Sequence, residues 1–223
     1  MTLSLGGLCV ETGMVGAVIT TSSPCVGARC LWVGSNQGVV LTQNVTNPAL
    51  GPAGLAKMGD GVDAEATLAH LLAIEPHPSY RQLALVDREG GTASFSGENA
   101  LGVYTTAAGK NCVAAGNLLD NTDVPSAMVA AFESSAGHLA NRLLDALKAG
   151  IAAGGEAGPV HSAALTVCHT QPWPIADLRV DWHDDPVSQL QVVWDVYQPQ
   201  MADYILRAHT PSDAPSYGVP GDE

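Results

Sequence analysis

The stretch TLSLGGLCVETGMVGAVITTSS, residues 2–23, decides the fold, because it predicts two strands joined by a tight turn. Its first four residues alternate, which places Thr2 and Ser4 on one face and two leucines on the other. Residues 11–13, Glu-Thr-Gly, supply the turn, and residues 15–19 return as a β-rich run that ends in four hydroxyl residues. The stretch therefore predicts an antiparallel hairpin that starts at the second residue.

The hairpin brings the start of the chain close to those four hydroxyl residues. In an antiparallel hairpin the numbers of opposed residues sum to a constant, here about 23 or 24 from the position of the turn. Thr2 is therefore expected beside Thr21 or Ser22. We treat Thr2 as the candidate nucleophile, with Ser4 as its alternative or hydrogen-bonding neighbour, and Thr20 and Ser22 as candidate substrate-binding residues. The same hydroxyls also suit a structural role at the end of a sheet.

Composition and charge limit the class of protein. The chain has 223 residues, of which 46% are hydrophobic and 14% are charged, so a single domain over residues 1–209 is expected. Residues 210–223 are rich in Pro, Ser, Gly and acid and predict a flexible tail. The net charge of −13 disfavours nucleic acids and anionic membranes as partners. No apolar run is long enough for a spanning helix and no signal peptide is visible, so a cytoplasmic location is expected.

Neither a metal nor a cofactor is expected. The five cysteines are an odd number without CxxC spacing, which favours free buried thiols. The acidic run DWHDD, residues 181–185, contains one histidine, and helix capping by Asp184 or Asp185 explains it better than metal binding. No glycine-rich loop typical of phosphate binding is present.

The remaining chain predicts strands that arrive in hairpins. A second strand pair is expected over residues 26–43, and a pair of antiparallel helices over residues 123–154. Further strands are expected near residues 80–86, 92–95, 101–105, 109–115, 162–167 and 178–180, and further helices over 52–57, 64–74 and 187–197. Hairpin-linked strands disfavour a parallel sheet. The predicted class is therefore α+β, with two stacked antiparallel sheets and helices on both outer faces.

Three amide side chains follow the second strand pair. Gln43, Asn44 and Asn47 are candidate substrate-binding residues, because an uncharged amide both donates and accepts hydrogen bonds and so suits a peptide-like or carboxamide ligand. An Asx turn before Pro48 explains Asn47 equally well.

Three more polar residues stand at predicted strand ends. Asn117 is a candidate catalytic residue that would serve an oxyanion hole, although it also suits a turn. His161 and Ser162 begin a buried strand, where the histidine is a candidate base and substrate-binding residue or a structural residue at the strand end.

An ordered set of motifs resembles a known family. TLSLGGLCVETGMVGAV, VGARCLW, TQNVTNPALGPAGL, AAGN, SAALTV and DLRVDWHDDP, over about residues 2–196, are similar in this order to the bacterial proteins grouped as domain of unknown function 1028. That family resembles the N-terminal-nucleophile (Ntn) hydrolases, whose fold is a four-layer αββα sandwich. The resemblance implies the same layers that the strand and helix order predicts.

The resemblance also implies a mechanism. In that superfamily a terminal Thr, Ser or Cys attacks an amide and its own α-amino group takes the proton. Removal of Met1 would leave Thr2 at the terminus, acting on a small-molecule or peptide-like substrate. None of the lysines (Lys57, Lys110 and Lys148) lies in the first predicted sheet, so a catalytically silent ligand-binding or assembly protein with this fold stays open. A homodimer is expected from the apolar content and from Trp194 in the last predicted helix.

Overall fold

The computed structural model describes residues 2–222, which form ten β-strands, seven α-helices and three single-turn 3-10 helices. The strands are β1 (Thr2–Cys9), β2 (Met14–Thr21), β3 (Leu31–Gly34), β4 (Gly38–Asn44), β5 (Arg81–Asp87), β6 (Thr92–Ser96), β7 (Val103–Gly109), β8 (Cys112–Leu119), β9 (Ser162–Cys168) and β10 (Ala176–Val180). The helices are α1 (Gly27–Cys30), α2 (Leu50–Gly59), α3 (Ala64–Ile74), α4 (Val124–Ser134), α5 (Leu139–Ala152), α6 (Pro186–Tyr197) and α7 (Met201–His209).

The strands form two antiparallel sheets. The larger has the order β10-β9-β2-β1-β8-β7 and the smaller the order β3-β4-β5-β6. The hairpin of β1 and β2 has the expected register, since Leu3 opposes Thr20 and their numbers sum to 23. On its other side β1 pairs with β8, where Thr2 opposes Asn117. The first strand of the chain is therefore a central strand of the larger sheet.

Three apolar layers separate the sheets and helices. Leu3 and Leu5 lie in the layer between the larger sheet and α4, α5 and α6. Ile19 and Val39 lie in the layer between the two sheets. Leu83 lies in the layer between the smaller sheet and α2 and α3. The molecule is thus a four-layer αββα sandwich, which confirms the predicted fold class.

The alternation of side chains along each strand explains this layering. Because successive side chains point to opposite faces, the leucines of β1 pack on helices while Ser4 faces the second sheet. Strands with apolar residues on both faces are expected where both faces are covered, as in β9, whose seven residues are all buried.

Helix capping follows the sequence closely. Asp63 accepts a hydrogen bond of 2.7 Å from the backbone of Ala66 and so starts α3, as predicted. Asp185 accepts from the backbone of Ser188 at 3.2 Å and starts α6, which decides between the two capping residues that the sequence left open. No helix within residues 2–222 is long and apolar enough to cross a bilayer.

Three local expectations were wrong. Residues 27–30 form the single turn α1 instead of strand, because Gly27 packs so closely that a Cβ there would lie 2.5 Å from Ala164. Helix α7 was not predicted; its Met201 and Ile205, four residues apart, pack on the helix-side core. Cys25 is exposed with a positive φ of 57°, whereas the other four cysteines are buried as expected, and all five are free.

Candidate active site

The layer between the sheets changes from apolar to polar toward the start of β1. Thr2 and Ser4 of β1, Thr21 of β2 and Asn117 of β8 line this end from the larger sheet, and all four are buried. The strand period of two places them on the face opposite to Leu3. The ends of three adjacent strands, β1, β2 and β8, thus place several hydroxyl and amide groups in one buried region.

Thr2 is the first residue of β1, and only 5% of its surface is exposed. Its Oγ1 lies 3.2 Å from Oγ1 of Thr21, so the two hydroxyls hydrogen-bond across the hairpin. This is the position that the register predicted from the turn. Asn117 stands opposite Thr2 on the other flanking strand.

A chain of hydrogen bonds crosses from the larger sheet to the smaller one and back. The Ser4 hydroxyl donates to Gln43 Oε1 at 2.7 Å, and Gln43 Nε2 donates to Gln82 Oε1 at 2.8 Å. Asn117 Nδ2 donates to the same Gln82 oxygen at 3.0 Å. We call these four residues (Ser4, Gln43, Gln82 and Asn117) the inter-sheet amide chain.

The direction of the inter-sheet amide chain is fixed by a backbone carbonyl. Gln82 Nε2 donates to the carbonyl of Gly116 and to the Ser96 hydroxyl, both at 2.9 Å. Because a carbonyl only accepts, the Oε1 of Gln82 must face the amide nitrogens of Gln43 and Asn117. Asn117 Oδ1 is then left buried without a partner among residues 2–222. The Oδ1 of Asn117 can only accept hydrogen bonds, and the oxyanion-hole role predicted for Asn117 stays a prediction.

Glu156 lies at the same end of the sheet. The residue is 7% exposed, and neither carboxylate oxygen has a hydrogen-bond partner of normal geometry in the described part of the chain. An antiparallel bridge joins it to Leu119, the last residue of β8. Burial raises the pKa of Glu156 to about 8, and the nearby Ser22 offsets only part of this effect.

Thr20 and Ser162 connect strands at this end of the sheet. Thr20 Oγ1 donates to the carbonyl of Ser162 at 2.8 Å. The Ser162 hydroxyl donates to the carbonyl of Ser23 at 2.6 Å and accepts from the backbone of Val26 at 3.2 Å. These bonds join β2, β9 and the segment after β2. The predicted substrate-binding roles of Thr20 and Ser162 stay predictions.

His161 contacts Thr21 through its backbone, while its side chain contacts other residues. Its N–H donates to the carbonyl of Thr21 at 2.8 Å, while its ring stacks on Trp182 with centroids 4.5 Å apart. The ring Nδ1 lies 3.4 Å from the carbonyl of His183. The side chain thus contacts residues 182–183, and the predicted role of His161 as base or substrate-binding residue stays a prediction.

Asn44 and Asn47 bind other segments. Asn44, with a φ of 71°, donates to the carbonyl of Tyr80 at 2.7 Å and accepts from Leu101. Asn47 donates to Glu75 at 2.7 Å and accepts from the backbone of Ala49 at 3.1 Å. The contacts of Asn47 are those of the Asx turn, and the substrate-binding predictions for both residues stay predictions.

Comparison with known proteins places the chain in a family. The model of the family of unknown function DUF1028 matches residues 2–190. The chain belongs to this family. A crystal structure of a DUF1028 protein from Silicibacter pomeroyi is similar to it at 31% sequence identity and a TM-score of 0.85, over 91% of this chain and 89% of that chain.

More distant similarities reach Anbu proteins, named as an ancestral β-subunit. One is from Yersinia bercovieri, with 8% identity and a TM-score of 0.36 over 91% of this chain and 97% of that chain. The other is a Gly-1 mutant from Hyphomicrobium sp. strain MC1, with 12% identity and a TM-score of 0.37 over 90% of this chain and 96% of that chain. Both TM-scores are too low to bear on function. No curated protein matches the chain significantly.

Several surface cavities of this DUF1028 chain lie away from Thr2. Five surface cavities formed by residues 2–222, with volumes from 170 to 740 Å³, are lined by residues other than Thr2. A cavity of 540 Å³ lies at the other end of β1, around Glu11, Lys110 and Arg142. Within the same residues, no group of three or more His, Cys, Asp and Glu side chains is placed to hold a metal ion.

Sequence reasoning missed Gln82 and Glu156. Gln82 is a polar residue in the otherwise apolar run QLALV of β5, on the same face as Ala84, and that interruption was a usable signal. Glu156 is the only acidic residue between Asp145 and Asp177, but a lone glutamate in a glycine-rich segment predicts a solvated loop. Its burial depends on the packing of residues far apart in the chain.

Proposed function

We propose that this DUF1028 protein is an amidohydrolase that cleaves an amide bond in a small or peptide-like molecule. Thr2, exposed as the new terminus when Met1 is removed, would be its nucleophile. The proposal is carried by one observation: Thr2 starts a central strand and directs its hydroxyl into the polar end of the inter-sheet layer. A terminal hydroxyl held in this way has its own α-amino nitrogen as the adjacent base.

The reaction would proceed in two halves. The Thr2 Oγ1 attacks the carbonyl carbon of the amide, and its proton passes to the α-amino nitrogen of the same residue. The C–N bond then breaks, the leaving nitrogen takes that proton, and an ester joins the acyl group to Thr2. A water molecule attacks the ester with the α-amino group again as base, which releases the acid and restores the hydroxyl.

The neighbouring side chains support this assignment. Thr21 hydrogen-bonds the nucleophilic oxygen and thereby restricts the rotamer of Thr2. Ser4, already donating to Gln43 at 2.7 Å, is better placed to hold the inter-sheet amide chain than to attack a substrate. Thr2 is accordingly preferred to Ser4 as nucleophile.

Two measurements test the proposal. Intact-mass analysis of the protein from its native host should show a chain without Met1, because only that chain has an α-amino group on Thr2. A panel of amide substrates should then yield an activity that falls at least about 10³-fold in Thr2→Val, which keeps the shape and loses the hydroxyl.

Matched variants separate chemistry from folding. Thr2→Ser keeps a hydroxyl and should retain measurable hydrolysis, whereas Ser4→Ala should change activity only through stability. Hydrolysis that persists unchanged in Thr2→Val, or a mass that always includes Met1, would exclude Thr2 as the nucleophile.

A second candidate is a non-catalytic ligand-binding or assembly protein on the same fold. It is favoured by the burial of Thr2, whose surface is only 5% exposed. If a chain that begins at Thr2 hydrolyses no member of the panel, while ligands bind wild type and Thr2→Val equally, this candidate replaces the first.

A further inference from the structure

We infer that Glu156 is a positioning residue that binds the α-amino group of Thr2 in the processed chain. The inference rests on the proposed function in one respect only, namely that Met1 is removed. It adds a carboxylate, supplied from the segment after α5, to a site otherwise made of hydroxyl and amide groups.

The sheet order places Glu156 across the start of β1. Strand β1 lies between β2 and β8 and begins at Thr2. Glu156 bridges Leu119, the last residue of β8, and also interacts with Ser22, the residue that follows β2. A residue that contacts both flanking strands just beyond their ends lies in front of the strand between them. The terminal nitrogen of β1 is the group that points in that direction.

The segment around Glu156 is held to β8 by its backbone. Asp120 donates to the carbonyl of Gly155 at 3.1 Å, and Ala157 donates to the carbonyl of Leu118 at 3.0 Å. Two such bonds on either side of Glu156 fix its backbone relative to the sheet. With its backbone fixed in this way, Glu156 is only 7% exposed, so its carboxylate lies inside the fold.

Two buried acceptors at this end have no hydrogen-bond donor at normal geometry among residues 2–222, although Ser22 lies close enough to Glu156 to lower its pKa. They are the carboxylate of Glu156 and the Oδ1 of Asn117, the residue that opposes Thr2 in the sheet. No ion pair to Glu156 forms with any Lys, Arg or His of the described chain. A buried carboxylate without a partner is costly, and a terminal ammonium group carries the three N–H donors that such acceptors require.

The carboxylate would serve the proposed reaction directly. When the α-amino nitrogen takes the proton of the Thr2 hydroxyl it becomes a cation, and Glu156 would stabilise that cation until the proton passes to the leaving nitrogen. The same contact would fix the direction of the nitrogen lone pair toward Oγ1. Glu156 itself neither attacks nor touches the substrate.

Other titratable groups near this end are engaged elsewhere. Asp120, beside the bridge, hydrogen-bonds Asn121 at 3.2 Å, and the His161 ring stacks on Trp182. Burial, the main influence on Glu156, raises its pKa to about 8, while the positive charge of the chain terminus and hydrogen bonds from Ser22 act in the opposite direction and offset only part of this effect. Reciprocal coupling then requires the carboxylate to raise the pKa of the Thr2 amine.

The experiment is a titration of the terminal amine. The full chain is prepared with Thr2 as its first residue by cleavage of an N-terminal fusion partner. Its α-amine is then labelled with limiting acetic anhydride across pH 5–10, and the N-terminal peptide is quantified by mass spectrometry. In Glu156→Gln the amine pKa should fall by about one unit, so that labelling at neutral pH is about tenfold faster than in wild type.

Two variants provide the controls. Glu98→Gln removes an exposed carboxylate and should leave the amine titration unchanged. Glu156→Asp keeps the charge on a shorter side chain and should keep the amine pKa above that of Glu156→Gln; it also serves if the glutamine variant does not fold. Equal amine pKa values in wild type and both Glu156 variants would overturn the inference.

The outcome is separable from that of the proposed function, because the titration needs no substrate. If the amine pKa depends on Glu156 but no hydrolysis depends on Thr2, the binding of the amine by Glu156 stands and the proposed hydrolase function is rejected. If hydrolysis depends on Thr2 but the amine pKa is the same with and without the Glu156 carboxylate, the proposed hydrolase function stands and Glu156 is not its positioning residue.

Discussion

At the scale of single residues, two buried glutamates show how partners decide the state of a carboxyl group. Glu156 forms no ion pair with a Lys, Arg or His side chain of residues 2–222, and burial raises its pKa to about 8. Burial also acts to raise the pKa of Glu75, but hydrogen bonds from Arg81, Asn47 and the backbone of His77 outweigh it and lower the pKa to about 2. Glu75 therefore contributes to stability as an anion, whereas burial favours the protonated form of Glu156.

Glu75→Gln should destabilise the protein at neutral pH. The carboxylate lies 3.0 Å from Arg81 and connects the end of α3 to the start of β5 and to Asn47. Because its pKa is depressed in the folded state, its contribution is complete above pH 4.5 and is lost as the pH falls toward 2. The free energy of unfolding at pH 7 should fall by roughly 2–3 kcal/mol, measured by urea denaturation.

The pH dependence distinguishes this effect from simple packing. Wild type and Glu75→Gln should become closer in stability as the pH falls from 4.5 toward 2, because the unfolded chain then takes up the Glu75 proton while the folded chain does so only near pH 2. Glu65→Gln, an exposed residue of the same helix, should change stability by less than about 0.5 kcal/mol at either pH. A loss in Glu75→Gln that is equal at pH 7 and pH 3 would contradict the assignment.

At the scale of elements, glycines of β1 permit close packing on both faces. A Cβ at Gly6 would lie 2.8 Å from Val39 of the second sheet, and one at Gly7 would lie 2.5 Å from the Phe132 ring of α4. Both distances are shorter than side chains tolerate, so larger residues would push a layer away. The central strand can therefore lie close to the layer above it and the layer below it.

Gln82→Met should weaken the contact between the sheets. Methionine fills a similar volume but leaves Gln43 Nε2, Asn117 Nδ2 and the Gly116 carbonyl without their Gln82 partner. Each unsatisfied buried group costs about 1–3 kcal/mol, so a loss of about 3 kcal/mol or more in unfolding free energy is expected by chemical denaturation.

An exposed glutamine provides the matched control for this substitution. Gln198→Met makes the same chemical change at an exposed position and should alter stability by less than about 0.5 kcal/mol. If both variants have the same stability, the inter-sheet amide chain does not contribute to holding the two sheets together.

At the scale of the whole molecule, the last residues of the chain and helix α6 should contribute very differently to stability. Residues 210–222 are exposed apart from the half-buried Ala214, and they contact α7 through Tyr217 on Arg207, with 3.8 Å between the guanidinium carbon and the ring centroid. A chain that ends at His209 should therefore unfold in one transition, within about 0.5 kcal/mol of the full chain, by thermal or urea denaturation.

A longer truncation should have the opposite result. A chain that ends at Asp185 loses α6 and with it Trp194, which is fully buried in the helix-side core. Removal of one such tryptophan costs about 3–5 kcal/mol, so this chain should be largely unfolded. Equal losses from both truncations would mean that residues 210–223 belong to the folded domain after all.

The sequence predicted the features that depend on residues close together in the chain and missed those that depend on distant contacts. Side-chain periods and turn residues that are neighbours in the chain predicted the hairpin, the placement of Thr2 beside Thr21 or Ser22, the cap at Asp63 and the four layers. The turn α1 and helix α7 escaped prediction, because close packing against Ala164 and the helix-side core decided them.

The sequence by itself determined the layered fold and the placement of Thr2 beside a row of hydroxyls. Only the tertiary structure decided which way Asn117 faces, that Gln82 connects the two sheets, and that Glu156 is buried at the start of β1. The physical reason is that periodicity reports the face of an element on which a side chain lies. The partner of a buried polar group depends instead on which distant strand ends meet there.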